Sequence, residues 1–139
     1  MKKIIIALCT FIFLCMSVFA AEQKRWIDIF DDDAKIMSFD AQTISQNEEG
    51  NILVWEKMII KQPSKNLKIG NEFIYKYLAL NEYKKGFVRT KSRTFFDKND
   101  KILMSQTQNE QWDVILPDTW QEQIFPIYCQ VVQKLNKKS

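Results

Sequence analysis

The 139-residue chain contains no histidine. This removes Ser-His-acid triads, Cys-His dyads, HExxH zinc sites and three-histidine metal centres together, because each needs an imidazole that titrates near neutrality or ligates a metal. Carboxylates, lysines and tyrosines remain, and no motif sets two carboxylates in the relation that acid–base glycosidases need. The sequence therefore reads as non-enzymatic, with no catalytic residue and no cofactor. Glycine and proline number three each, no Gly/Pro/Ser-rich linker divides the chain, and no internal repeat appears. One sign of charge scarcely outweighs the other: the net charge is +3, reduced to +1 when Lys2 and Lys3 are set aside, so no global field draws nucleic acid.

Lys2 and Lys3 open the chain, an uncharged run extends from Ile4 to Ala20, and small residues close it before Ala21. This order predicts a secretory signal peptide over residues 1–20 and an exported domain over 21–139, in the periplasm or at the cell surface. The run is also just long enough to span a bilayer, so an uncut anchor is the alternative; after cleavage no membrane span is expected. Leu8 and Leu14 precede Cys9 and Cys15, which disfavours lipidation at either. Cleavage leaves Cys129 as the one thiol of the domain, so an internal disulfide is excluded; Cys129 is expected as a small buried hydrophobe rather than a bridge between chains.

Strand signals come first and a helix last. Trp26–Phe30 and Lys35–Phe39 flank the Asp31-Asp32-Asp33 turn and predict a hairpin. After the Glu48-Glu49-Gly50-Asn51 turn, Ile52, Val54, Met58 and Ile60 fall on one face of a long strand, and Leu53, Trp55, Lys57 and Lys61 on the other. Residues 71–85 fit a helix or a strand; aromatic content favours a strand over Tyr75–Tyr83. Gly86–Phe96 and Lys101–Gln108 flank the Asp97–Asp100 turn as a second hairpin. Thr119 followed by Glu122 is a capping box, and Trp120, Ile124, Ile127, Tyr128, Val131 and Leu135 predict a helical stripe pressed on the sheet, with Pro126 inside it. The expectation is an α+β fold: an antiparallel sheet of about five to six strands with one C-terminal helix packed across one face.

Asp28 and Asp31–Asp33 lack the alternating ligands, central glycine and distal glutamate of a calcium loop, and read as a solvated turn; no metal site is expected. Lys84, Lys85, Arg89, Lys91 and Arg93 form the notable cluster. Period two puts Lys85, Arg89, Lys91 and Arg93 on one strand face, with Lys84 beside them and no acid between Lys84 and Arg93. Such a row attracts sulfated glycans or acidic protein loops, although a solvated outer sheet face, paired with acids of the next strand, has the same composition. Trp55 and Trp112 fit either core residues or exposed anchors for a partner. Self-association through the same face stays open.

Several segments together are similar to the surface-adhesin protein E family of exported bacterial domains: Trp26-Ile27-Asp28-Ile29; Met37-Ser38-Phe39-Asp40 with Thr43-Ile44; Val54-Trp55-Glu56-Lys57; Phe87-Val88-Arg89; Phe95 through Leu103; and Trp112 leading to Ile115 through Glu122, with Cys129 seven residues on. The resemblance implies an antiparallel sheet crossed by a C-terminal helix and an adhesive role toward host matrix or serum proteins, with the basic region mapping to Lys84–Arg93. It also implies a disulfide from the helix cysteine to a cysteine just before the strand holding Arg89. Leu80–Lys84 offers no such partner, so helix docking is left to apolar contact. A periplasmic, envelope-associated protein with a bacterial partner and no host ligand is the alternative function.

Overall fold

Aspartates and glycines at the predicted turns stop each strand and let the next return beside it. In a computed structural model, residues 24–107 and 111–139 are described; the expected leader, with Cys9 and Cys15, lies outside them, as does Gln108. The strands are β1 (Trp26–Asp31), β2 (Lys35–Asp40), β3 (Ser45–Gln46), β4 (Ile52–Ile60), β5 (Lys68–Ile69), β6 (Glu72–Phe73), β7 (Lys76–Lys84), β8 (Phe87–Phe96), β9 (Ile102–Thr107) and β10 (Asp113–Val114), followed by helix α1 (Trp120–Lys138). The turn between β1 and β2 closes on Asp32, whose carboxylate accepts from the backbone N–H of Ala34 and of Lys35 at 2.8 Å; this is the local bonding that favours aspartate in turns.

The main sheet runs β1-β2-β4-β7-β8-β10, with β3 beside the start of β4 and β9 beside the end of β8, every pairing antiparallel. The architecture is α+β, as expected, but the main sheet has eight strands rather than five to six. The extra ones, β3 and β10, are two-residue pairings on edges of longer strands; so short a pairing leaves no periodic signal. The separate β5–β6 ribbon is equally short.

Helix α1 covers one sheet face. Ile124, Tyr128 and Val132 meet Phe39, Ile44, Ile52, Val54 and Tyr83 in a buried cluster. The capping residues work as read: Thr119 Oγ1 accepts from Glu122 N at 3.4 Å, while the Glu122 carboxylate accepts from Asp118 N at 2.7 Å, one residue beyond the usual box partner. The buried row keeps a spacing of four and includes Val132, which the predicted stripe omits. Ile127 and Leu135 are corrected to exposed positions, 47% and 39% accessible. They lie on the flank of α1 beyond the edge strand β1, where no further strand remains to receive them.

Glu56 is the polar exception in this core. It occupies the inward phase of β4 with Val54 and is 1% exposed. Its Oε1 accepts from Tyr83 Oη at 2.6 Å and from Tyr128 Oη at 2.8 Å, and Oε2 accepts from Asn81 Nδ2 at 2.5 Å. One carboxyl group thus ties β4, β7 and α1 together. Among the described residues, no cation pairs with it within 4 Å.

Candidate functional site

The open face of the sheet, opposite α1, carries the basic residues that the structure does bring together. β7 and β8 join through Lys85 and Gly86, the latter at φ +80°, a conformation that suits glycine. Lys84 then stands opposite Phe87, and Glu82 opposite Arg89. β10 lies along the other side of β8, with Val114 opposite Phe87 and Asp113 opposite Val88, so Trp112 continues the row of Arg89. The Trp112 ring is flanked by two cations: Lys84 Nζ lies 4.1 Å from its centroid and Arg89 Cζ 4.4 Å. Lys84 Nζ is also 5.2 Å from the Phe87 ring. Cations over aromatic faces gain electrostatically from the ring quadrupole and are held in place by it. Apolar surface adjoins them, since Phe87, Val114 and Leu116 are 38%, 64% and 62% exposed.

Glu82 fixes this patch from below. Its carboxylate, 1% exposed, accepts from Arg89 Nε at 2.7 Å and from Asn47 Nδ2 and Asn51 Nδ2 at 2.9 Å each, and Lys91 Nζ lies 3.8 Å away. Burial pushes its pKa up, but the hydrogen bonds from Arg89, Asn51 and Asn47 and the Arg89 charge outweigh burial, so it titrates below the ordinary carboxylate value. Asp40 follows the same pattern: burial is outweighed by Arg25, which donates Nε and Nη2 at 3.0 and 2.9 Å, by the Thr43 hydroxyl and by Gln42 N. A depressed carboxylate stabilises the fold above its unfolded pKa and loses that contribution as pH falls through its folded value. Stability is therefore expected to drop as pH is lowered past the ordinary values of 3.8 for Asp and 4.5 for Glu. Glu82→Gln, which cannot accept both Arg89 and the two asparagines as a carboxylate does, is expected to cost roughly 1–3 kcal/mol at neutral pH in urea denaturation and to remove the Glu82 part of this acid sensitivity while leaving that of Asp40.

The five sequence-designated residues divide. Lys84 and Arg89 flank Trp112, and exposed Lys85 lies in the adjoining turn rather than on the strand. Lys91 is the extra residue of a β-bulge: Thr90 stands opposite Asn81 and Ser92 opposite Leu80. A bulge inserts one residue and reverses the face of everything beyond it. Arg93 is consequently opposite Ala79, in the row of Glu56 on the helix side of the sheet, beside Tyr77. It leaves the proposed patch. The row of four in-phase cations is thus corrected, because unbroken alternation does not announce a bulge. The neutralising acid, Glu82, comes from β7, the preceding strand, rather than from the next strand as expected, because β7 is the antiparallel neighbour whose Glu82 lies opposite Arg89. Phe87, Val114 and Leu116 escaped the sequence reading as patch members; the β10 pairing that aligns Val114 is only two residues long.

Trp55 and Trp112 are both half-buried on the open face, neither core nor fully exposed, and Trp26 shares that face under Lys57 Nζ, 4.2 Å from its centroid. Cys129 is half-buried with a free thiol, rather than fully enclosed, and burial raises its pKa. Among the described residues no group of three or more His, Cys, Asp or Glu is placed to hold a metal, and no helix is long and apolar enough to cross a membrane. Compared with known proteins, the chain matches no family model, no curated protein and no solved structure.

Proposed function

We propose that the protein is an exported, non-enzymatic binding domain whose open sheet face engages an acidic partner, a protein segment or a sulfated glycan, at Lys84, Lys85, Arg89 and Trp112. The observation that carries this reading is the cluster of Lys84 and Arg89 over the Trp112 ring, bordered by exposed Phe87, Val114 and Leu116. Cations held rigid beside exposed apolar side chains lose little entropy when a partner docks, and aromatic and arginine side chains are the usual anchors of such contacts. The sheet crossed by a C-terminal helix agrees with what the resemblance to the surface-adhesin protein E family implies, and an adhesive role follows from the same resemblance.

Retention on heparin and on acidic matrix proteins, followed against ionic strength, tests the site. Lys84→Gln/Lys85→Gln is expected to weaken retention about fivefold or more and to flatten its salt dependence, and Trp112→Ala to weaken it further by freeing Lys84 and Arg89. Arg93→Gln, on the other face, is expected to change retention little. Equal retention by all variants would discard the patch. External protease on intact cells separates host adhesion, which needs surface exposure, from a role confined to the periplasm.

A further inference from the structure

A second surface lies where α1 passes the edge strand β1. Two grooves of about 290 and 300 Å³ meet there at Ile27. The first is floored by Phe30, Trp120 and Ile124; the second runs between Ala41, Val131 and Leu135 and is rimmed by Lys24, Lys134 and Lys138. Ile27, Ile127 and Leu135 stand above the grooves at 41%, 47% and 39% exposure. The helical spacing of Ile127, Val131, Lys134, Leu135 and Lys138 places them along one flank, with apolar residues toward its middle and lysines at its end. Lys24 pairs loosely with Asp28, 3.7 Å away. Lys134 and Lys138 enter no ion pair among the described residues.

We infer that this flank is a peripheral docking surface for an anionic phospholipid leaflet. Apolar side chains standing proud of a helix flank, with lysines beside them, are the composition that rests at a lipid headgroup boundary. The sequence supplies position as well as chemistry: the uncharged run Ile4–Ala20 joins the domain three residues before Lys24, which itself lines the second groove. Before cleavage, the edge of the domain next to the membrane-directed segment is thus the edge that carries the patch. A second copy of the chain is the poorer occupant, because the surface offers one acid, Asp28, already beside Lys24, against three lysines. This surface is separate from the Trp112 patch on the open sheet face.

Sedimentation of the exported protein with vesicles tests the inference, using phosphatidylglycerol–phosphatidylethanolamine vesicles against pure phosphatidylcholine. Binding is expected to be at least tenfold stronger to the anionic vesicles and to fall with salt. Ile127→Gln/Leu135→Gln and Lys134→Gln/Lys138→Gln are each expected to lower it at least fivefold without changing the thermal midpoint appreciably, since all four side chains are exposed. Lys84→Gln/Lys85→Gln should bind as the unmodified protein does, so failure here and failure of the partner patch stay distinguishable. Undiminished binding by the flank variants overturns the inference. So does loss in the Lys84/Lys85 variant alone, or a dimer in solution that Ile127→Gln/Leu135→Gln converts to monomer.

Discussion

Glu56→Ala is expected to destabilise the protein by roughly 3–5 kcal/mol in equilibrium denaturation, a large share of the about 5–15 kcal/mol that holds a domain of this size together. The substitution deprives three buried donors, Tyr83 Oη, Tyr128 Oη and Asn81 Nδ2, of their acceptor and opens a cavity besides. Glu56→Gln has a different and diagnostic outcome. Burial raises the Glu56 pKa, and the hydrogen bonds from Tyr83, Tyr128 and Asn81 only partly offset that rise, so the neutral acid is favoured relative to the unfolded chain. A group with a raised folded pKa stabilises fully below its unfolded value and loses that contribution as pH rises through the folded one. Wild-type stability is therefore expected to carry a component that declines upward from pH 4.5, the ordinary glutamate value. This component opposes those of Asp40 and Glu82, which are lost toward acid. Glutamine is uncharged at every pH, and its side-chain carbonyl in the place of Oε1 can accept from both tyrosine hydroxyls. The stability of Glu56→Gln relative to wild type should rise with pH from 4.5 upward, read from urea midpoints across that range. A difference that does not vary with pH would show that Glu56 titrates alike in the folded and unfolded chains.

Tyr128→Ala is expected to cost about 3–5 kcal/mol, because it removes a wholly buried ring that packs edge-to-face on Phe39 at 5.1 Å and on Tyr83 at 5.4 Å, and deletes one donor to Glu56. Tyr128→Phe isolates the hydroxyl and should cost nearer 1 kcal/mol, since Tyr83 and Asn81 still satisfy the carboxyl group. Burial, with the Glu56 charge second, pushes the Tyr83 and Tyr128 hydroxyls far up, so both remain donors throughout the range in which the fold is studied. Denaturation midpoints measure the two costs. A Tyr128→Ala loss below 1 kcal/mol would mean that α1 contributes little to the cooperative unit. Because Tyr128 and Glu56 touch, Tyr128→Phe/Glu56→Gln should differ from the sum of its parts.

β4 and α1 are legible because each obeys one period. Ile52, Val54 and Ile60 alternate and are buried together, and Ile124 and Tyr128 keep helical spacing and meet them. Glu56 shares that strand phase, but a carboxylate in an apolar row reads as an exception until its three donors are seen. Those donors come from residues 81, 83 and 128, and no local signal joins them to position 56. The candidate site was legible in part. Lys84 and Arg89 lie in the basic run, whereas the ring both of them approach, Trp112, returns from 23 residues beyond Arg89 through a two-residue pairing.

By itself, the sequence determined that strands would precede a capped C-terminal helix and that histidine chemistry was absent. It also determined that residues 21–139 hold a single cysteine, because each follows from residue type or from a repeat within one element. Only the tertiary structure decided which cations share a surface, since one inserted residue at Lys91 sends Arg93 to the helix side. It also decided what joins the helix to the sheet at its polar centre: a carboxyl group at the meeting point of β4, β7 and α1. Faces and meeting points are set by register between distant segments, and register is fixed by packing rather than by any stretch of chain read alone.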